Sequence, residues 1–213
     1  MRPHGRSEGR IDRSPQDGGV LRRNQRANKY HPALVLLHWL LAWFIIASLL
    51  FGFFVLRTMP NTDARKIDML EWHMGLGMAI LAAMLVRLVV RWRTAKPPPA
   101  GLGTPASARA AGRAHLAFYV LIVCMVATGY ATGLLAHLND IVFARNGAPL
   151  PPTFDVYPTF HLHGWIAALL AILITLHVLG ALWHWLARRD GVMRRMGFGG
   201  RRVEPDEVAK VPA

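Results

Sequence analysis

Cysteine is nearly missing from this chain: Cys124 is the one thiol in 213 residues. That excludes a disulfide framework, a cysteine-based zinc site, an iron–sulfur cluster and covalent attachment of a cofactor through Cys-x-x-Cys-His. Acids are scarce too, with 12 Asp and Glu against 25 Lys and Arg. Charged residues make up only 17% of the chain, where a soluble domain carries about 25%. A net charge of +13 on so few groups requires that the charges be clustered. Collagen, coiled-coil and small disulfide-rich secreted classes are excluded by the same composition.

What is present instead is long apolar runs. Residues Tyr30–Leu56, Ala114–Leu138 and Thr159–Ala187 contain no Asp, Glu, Lys or Arg, and Trp72–Val90 contains only Arg87. Each reaches the ~18–20 residues that cross a ~30 Å hydrocarbon core. A greasy soluble bundle would show polar stripes at helical spacing, and these runs are apolar all round. The sequence therefore predicts an all-α, integral membrane four-helix bundle, with helices over about 33–56, 69–92, 113–137 and 160–187. The first run is too long and too far from the N-terminus for a cleaved signal peptide.

The clusters of charge give the topology. Eight basic residues precede residue 31, six lie in Arg87–Arg113, and seven follow from Arg188 onward. The other two connections hold Arg57, Arg65 and Lys66, and Arg145. Twenty-one basic residues against four place both termini and the middle loop in the cytoplasm of a bacterial inner membrane. The positive charge is accounted for by topology and membrane-lipid headgroups, so no nucleic-acid partner is implied.

The chain then divides into a basic arm (1–29) expected to be disordered, a four-helix domain (30–187) and a basic cytoplasmic tail (188–213). Residues 94–112, with Pro97, Pro98 and Pro99, read as an extended connector. The prolines of Asn139–Pro158 argue against a helix across the second half of that outer loop. Gly75 with Gly77, or Gly129 with Gly133, are candidate helix-dimerisation pairs.

Ten histidines are present, and a polar ligand-type side chain inside a span is a functional candidate. His163 and His177 lie 14 residues apart on helix 4, about 40° short of four full turns and about 21 Å apart along the axis, so they share one face. His161 lies about 160° round the helix from His177 and is read as interfacial, as are His31, His137 and His184. Helix 1 runs outward, which puts His38 at the inner level with His177. Helix 2 begins outside, which puts His73 at the outer level with His163. Two imidazole pairs at two depths suit two six-coordinate, non-covalent haem b groups. Haem-iron ligation is thus assigned to His38, His73, His163 and His177.

The 14-residue step takes His38 to Gly52, His73 to Arg87 and His115 to Gly129. Glycines here, with Gly75, Gly77 and Gly164 beside the ligands, leave room for a flat macrocycle. Arg87 faces the inner level as a candidate for a haem propionate, or else snorkels to the surface. His115 is read either as a helix-start hydrogen-bonding residue or as a propionate or quinone contact.

These residues resemble the bacterial cytochrome b561 family: His38-Trp39 after Tyr30-His31-Pro32, His73 with Val86-Arg87 and Arg91, and His163-x13-His177. The resemblance runs from residue 30 to about 196. It implies a membrane bundle with two haem b groups on His38, His73, His163 and His177. It further implies electron transfer between an outer redox partner and the quinone pool, and one branch passes electrons from superoxide to ubiquinone. The chain departs from the family in its His161-Leu162-His163-Gly164 setting and its shorter outer loop.

Two functions follow as expectations: a quinone-linked di-haem oxidoreductase, or a haem-carrying anchor and electron-transfer subunit of a separate dehydrogenase or hydrogenase. A transporter using histidine directly would need carboxylates deep in the spans, and the four apolar runs hold none. If the donor is superoxide, Arg57, Arg65, Lys66 and Arg145 are the outer cations expected to attract it.

Overall fold

The computed structural model describes residues 30–94 and 105–188, and among them there are helices and no strand. Helix α1 (Pro32–Phe51) continues into a π turn over Gly52–Leu56. Helix α2 covers Arg65–Arg93, α3 covers Pro105–Leu135, and α4 covers Pro158–Trp183 before a π turn over His184–Arg188. All four are long and apolar enough to cross a membrane. The expected arm 1–29, the middle of the connector and the tail beyond Arg188 lie outside the described residues.

The helix ends have local causes. Pro32 and Pro158 stand at the starts of α1 and α4, where a missing N–H costs nothing. His31 caps α1, its Nδ1 accepting from the Ala33 N–H at 3.3 Å. Helix α2 starts earlier than the hydropathy suggests because the Asp63 carboxylate accepts the Arg65 N–H at 3.0 Å. Helix α3 ends where His137 takes a left-handed φ of 52°, a common helix stop.

One expectation is corrected. Helix α3 begins at Pro105, not near 113, so the second part of the supposed extended connector is helical. The segment Pro105–Ala114 is rich in alanine, the strongest helix former, and opens on a proline suited to a first turn.

Large apolar side chains point outward, with Trp43, Trp72, Trp92 and Trp165 each more than 70% exposed. In lipid this costs nothing, since tails are as apolar as the side chains. The inner packing is a mid-bundle cluster of Leu41, Ile80, Met84, Ile122 and Leu170. A second cluster closes the end that the charge pattern assigns to the outer side, where Leu138, Ile141, Val142, Leu150 and Phe154 of the α3–α4 connection fold over Leu70 and Ala136. Burial from water stabilises by roughly 1.5–3 kcal/mol per large side chain. Asn61 Nδ2 ties the α1–α2 loop into this cap through the Pro151 carbonyl at 2.7 Å. The outer level of the bundle is therefore covered by ordered chain.

Candidate functional site

The helices associate as two pairs. The closest packing is α3 on α4 and α1 on α2, with a lesser contact of α2 on α3. Backbones of α4 scarcely approach α1 or α2. Imidazoles meet across this separation at two levels.

At the outer level the rings of His73 (α2) and His163 (α4) have centroids 6.2 Å apart and planes at 79°. His163 Nδ1 lies 3.0 Å from the Met125 carbonyl, which can only accept, so Nδ1 carries the proton and Nε2 keeps its lone pair. His73 Nδ1 lies 3.4 Å from Ser48 Oγ, and Phe51 stacks on the His73 ring at 6.5 Å. A Cβ at Gly52 would stand 3.6 Å from His73, and one at Gly129 only 3.0 Å from His163.

At the inner level His38 (α1) and His177 (α4) have centroids 6.5 Å apart. His115 (α3) also reaches His177, at 6.2 Å, and Phe118 packs edge-on against it at 5.3 Å. Arg87 donates to Tyr119 Oη at 3.1 Å, and its Nε is buried with no hydrogen-bond partner. Its guanidinium carbon lies 5.9 Å from the centre of the Tyr119 ring, one turn from His115 on the same helix. Snorkelling alone does not describe it.

The structure thus brings together all six residues singled out from the sequence, four in the two expected pairs and Arg87 and His115 at the inner pair. His161 turns away, donating from Nε2 to the Asp155 carbonyl at 2.8 Å. Gly129 and Gly133 face His163 and Met74 inside the bundle, so they form no outward dimerisation groove. Ser48, Thr128, Phe118 and Tyr119 were missed. Tyr119 and Phe118 stand four and three residues after His115, a helical-face relation that could have revealed them; Ser48 has no such signal.

Three of the four cations expected to attract an anionic donor are engaged elsewhere. Arg65 forms a two-point pair with Asp63, at 2.8 and 3.2 Å. Arg145 bridges Asp68 at 2.8 Å and Glu71. These partners push the Arg145 guanidinium further above its ordinary value and hold the Asp63 carboxyl below its own. Lys66 is 6% exposed, donates to the Met59 carbonyl and lies 5.7 Å from the centre of the Phe154 ring. Among the described residues neither Arg57 nor Lys66 pairs with an acid, and of the two only Arg57 is exposed. Counting cations without their neighbours hid Asp63, Asp68, Glu71, Asp140 and Asp155.

Four helices long and apolar enough to cross a membrane, with imidazoles meeting at two levels, define a membrane-protein class that presents paired ligand-type side chains. The model of the prokaryotic cytochrome b561 family matches residues 29–199, and the chain belongs to that family. It is also 26% identical over 174 residues to cytochrome b561 homolog 2 of Escherichia coli (strain K12), across 75% of this chain and 86% of that protein. It is accordingly a multi-pass membrane haem b electron-transfer protein.

The residues present fit that group. An iron between two imidazoles, with bonds of about 2 Å and ring centres about 1.1 Å beyond the nitrogens, sets centroids about 6.3 Å apart. The observed 6.2 and 6.5 Å match that span. A ligand imidazole normally donates its other N–H to a carbonyl or carboxylate, as His163 does to Met125. The unpartnered Nε of Arg87 suits a carboxylate of the cofactor.

Proposed function

We propose that this chain carries two non-covalent haem b groups and conducts electrons between the outer side of a bacterial inner membrane and the quinone pool. His73 and His163 would hold the outer group, and His38 and His177 the inner one. Both termini lie in the cytoplasm on this reading, and the working unit is residues 30–187. The observation that carries it is the meeting of imidazole rings across two separate helix pairs at 6.2 and 6.5 Å.

Haem supplies a reversible one-electron couple when bound. The chain's own residues do the rest. His163 is oriented by its Nδ1–H bond to Met125 O, which fixes the tautomer and makes the ligand nitrogen more basic. Phe51 and Phe118 pack against His73 and His177 and exclude water from the rings. Arg87 would hold a haem propionate, or with His115 and Tyr119 a quinone oxygen. Ubiquinone is the proposed acceptor, and superoxide remains a donor by family precedent, without a free cationic patch to concentrate it.

The second reading is a haem-carrying subunit that receives electrons from a separate dehydrogenase or hydrogenase. It is favoured by the pairing of Arg65 and Arg145 with acids and the burial of Lys66, which suits a protein donor better than a small anion. A reduced-minus-oxidised spectrum and acid-acetone extraction of the purified chain test the main proposal. Two extractable haems per chain are expected, and one per chain, or pigment left on the protein, would overturn it. Reduction by superoxide that does not depend on salt, or none at all, favours the subunit reading.

A further inference from the structure

Gly129 stands within α3, facing His163 so closely that a Cβ would come to 3.0 Å from its Cε1 and 3.2 Å from Nδ1. One turn earlier, the Met125 carbonyl accepts from Nδ1 at 3.0 Å. Thr128 Oγ1 lies 3.4 Å from the same nitrogen while donating to the Cys124 and Met125 carbonyls, at 2.8 and 3.0 Å. With its own proton engaged, the hydroxyl can only accept from the imidazole. Met125 O, Thr128 and the bare backbone of Gly129 thus form a notch that takes the protonated edge of the ring.

We propose that Gly129 is the positioning residue of the outer site. Its missing side chain lets His163 seat in the α3 notch, which fixes the Nδ1–H tautomer and turns Nε2 toward the iron. The proposal rests on the reading of His163 as an axial ligand.

Other glycines mark the contrast. A Cβ at Gly52 would make an ordinary contact of 3.6 Å, one at Gly133 would meet the flexible end of Met74 at 3.4 Å, and Gly75, Gly77 and Gly164 face open space. Glycine inside a helix is destabilising relative to alanine. Alanine at an indifferent position should therefore strengthen the helix, whereas at Gly129 it should damage the site. The Nδ1–H bond to a carbonyl raises ligand basicity and favours ferric iron, so displacing the ring should raise the outer haem's midpoint potential.

The test compares full-length wild type, Gly129→Ala, Thr128→Val and Gly112→Ala, where a Cβ would meet nothing within 4 Å, in haem-to-chain ratio and spectroscopic redox titration. Gly129→Ala is expected to lose the outer haem or to raise its potential. A tenfold weaker preference for ferric iron corresponds to about 59 mV in a one-electron couple. Thr128→Val should move the outer potential by less and leave the inner haem unchanged, while Gly112→Ala should change neither. Two haems with unaltered potentials in both Gly129→Ala and Thr128→Val overturn the proposal; if Gly129→Ala fails to accumulate, an unmoved potential in Thr128→Val does so alone. A wild-type chain with fewer than two haems, or His163→Ala retaining both, overturns the ligand reading itself and the proposal with it.

Discussion

Replacing His38 or His115 decides which of them faces His177 across the inner haem. Distance does not choose, since both rings stand close to the iron-bridged span of about 6.3 Å, at 6.5 and 6.2 Å from His177. Packing chooses. Helix α3 lies directly on α4, so His115 approaches His177 from the neighbouring helix, as Gly129 approaches His163 one 14-residue step further along. His38 comes from the other helix pair, as His73 does at the outer level. Truncation to alanine withdraws the ring centre by about 2.6 Å, leaving the nearest carbon up to about 9 Å from the His177 ring, far beyond a bond of about 2 Å. His38→Ala and His177→Ala should therefore each lower the haem-to-chain ratio from two to one, with the same spectral component lost. The double variant should fall no lower. His115→Ala should keep both haems with the inner spectrum shifted. Pyridine haemochromogen assays per chain, read beside difference spectra, measure this. Loss of the inner haem from His115→Ala with retention in His38→Ala would refute the assignment by helix pairs.

Two further outcomes follow from the outer end. His161→Ala should retain both haems, because its ring bonds Asp155 O and not the His73 side of the bundle; haem loss by spectroscopy would move the ligand two residues. Arg145→Gln removes the bridge to Asp68 and Glu71 and should lower the thermal unfolding midpoint only slightly, since the pair is half-exposed, with the difference shrinking in high salt.

The fold was legible because membrane spans are written in composition: runs without charge over 25 or more residues have few alternatives. Helix ends were less legible. The Asp63 carboxylate that accepts the first N–H of α2 and the alanine-rich start of α3 are local effects that a hydropathy window averages away. The histidine pairs followed from a 14-residue step and from chain direction, both one-dimensional quantities. The outer cations were misread because a count along the chain does not show that Arg145 in one loop reaches Asp68 and Glu71 on α2. Ser48 and Thr128 were invisible for the same reason: their relation to His73 and His163 exists only between helices.

The two levels differ in charge, and that difference sets a direction. The imidazoles of the outer pair have neutral partners, Ser48, Thr128 and the Met125 carbonyl. The inner level also holds Arg87, half-buried, with its Nε buried and unpartnered and its guanidinium against Tyr119, one turn from His115. A fixed cation attracts an added electron, and within the hydrocarbon region neither water nor salt screens that attraction as it would at the surface. A carboxylate paired with Arg87 would weaken the effect. The inner haem should therefore hold the higher potential, so that an electron entering outside runs inward. Arg87→Gln keeps a donor within reach of Tyr119 and removes the charge. It is expected to lower the inner midpoint potential, leave the outer one in place and slow the transfer between them, as read by redox titration and stopped-flow reduction. An inner potential that does not move in Arg87→Gln, or that lies below the outer one in the wild type, would separate Arg87 from the direction of flow.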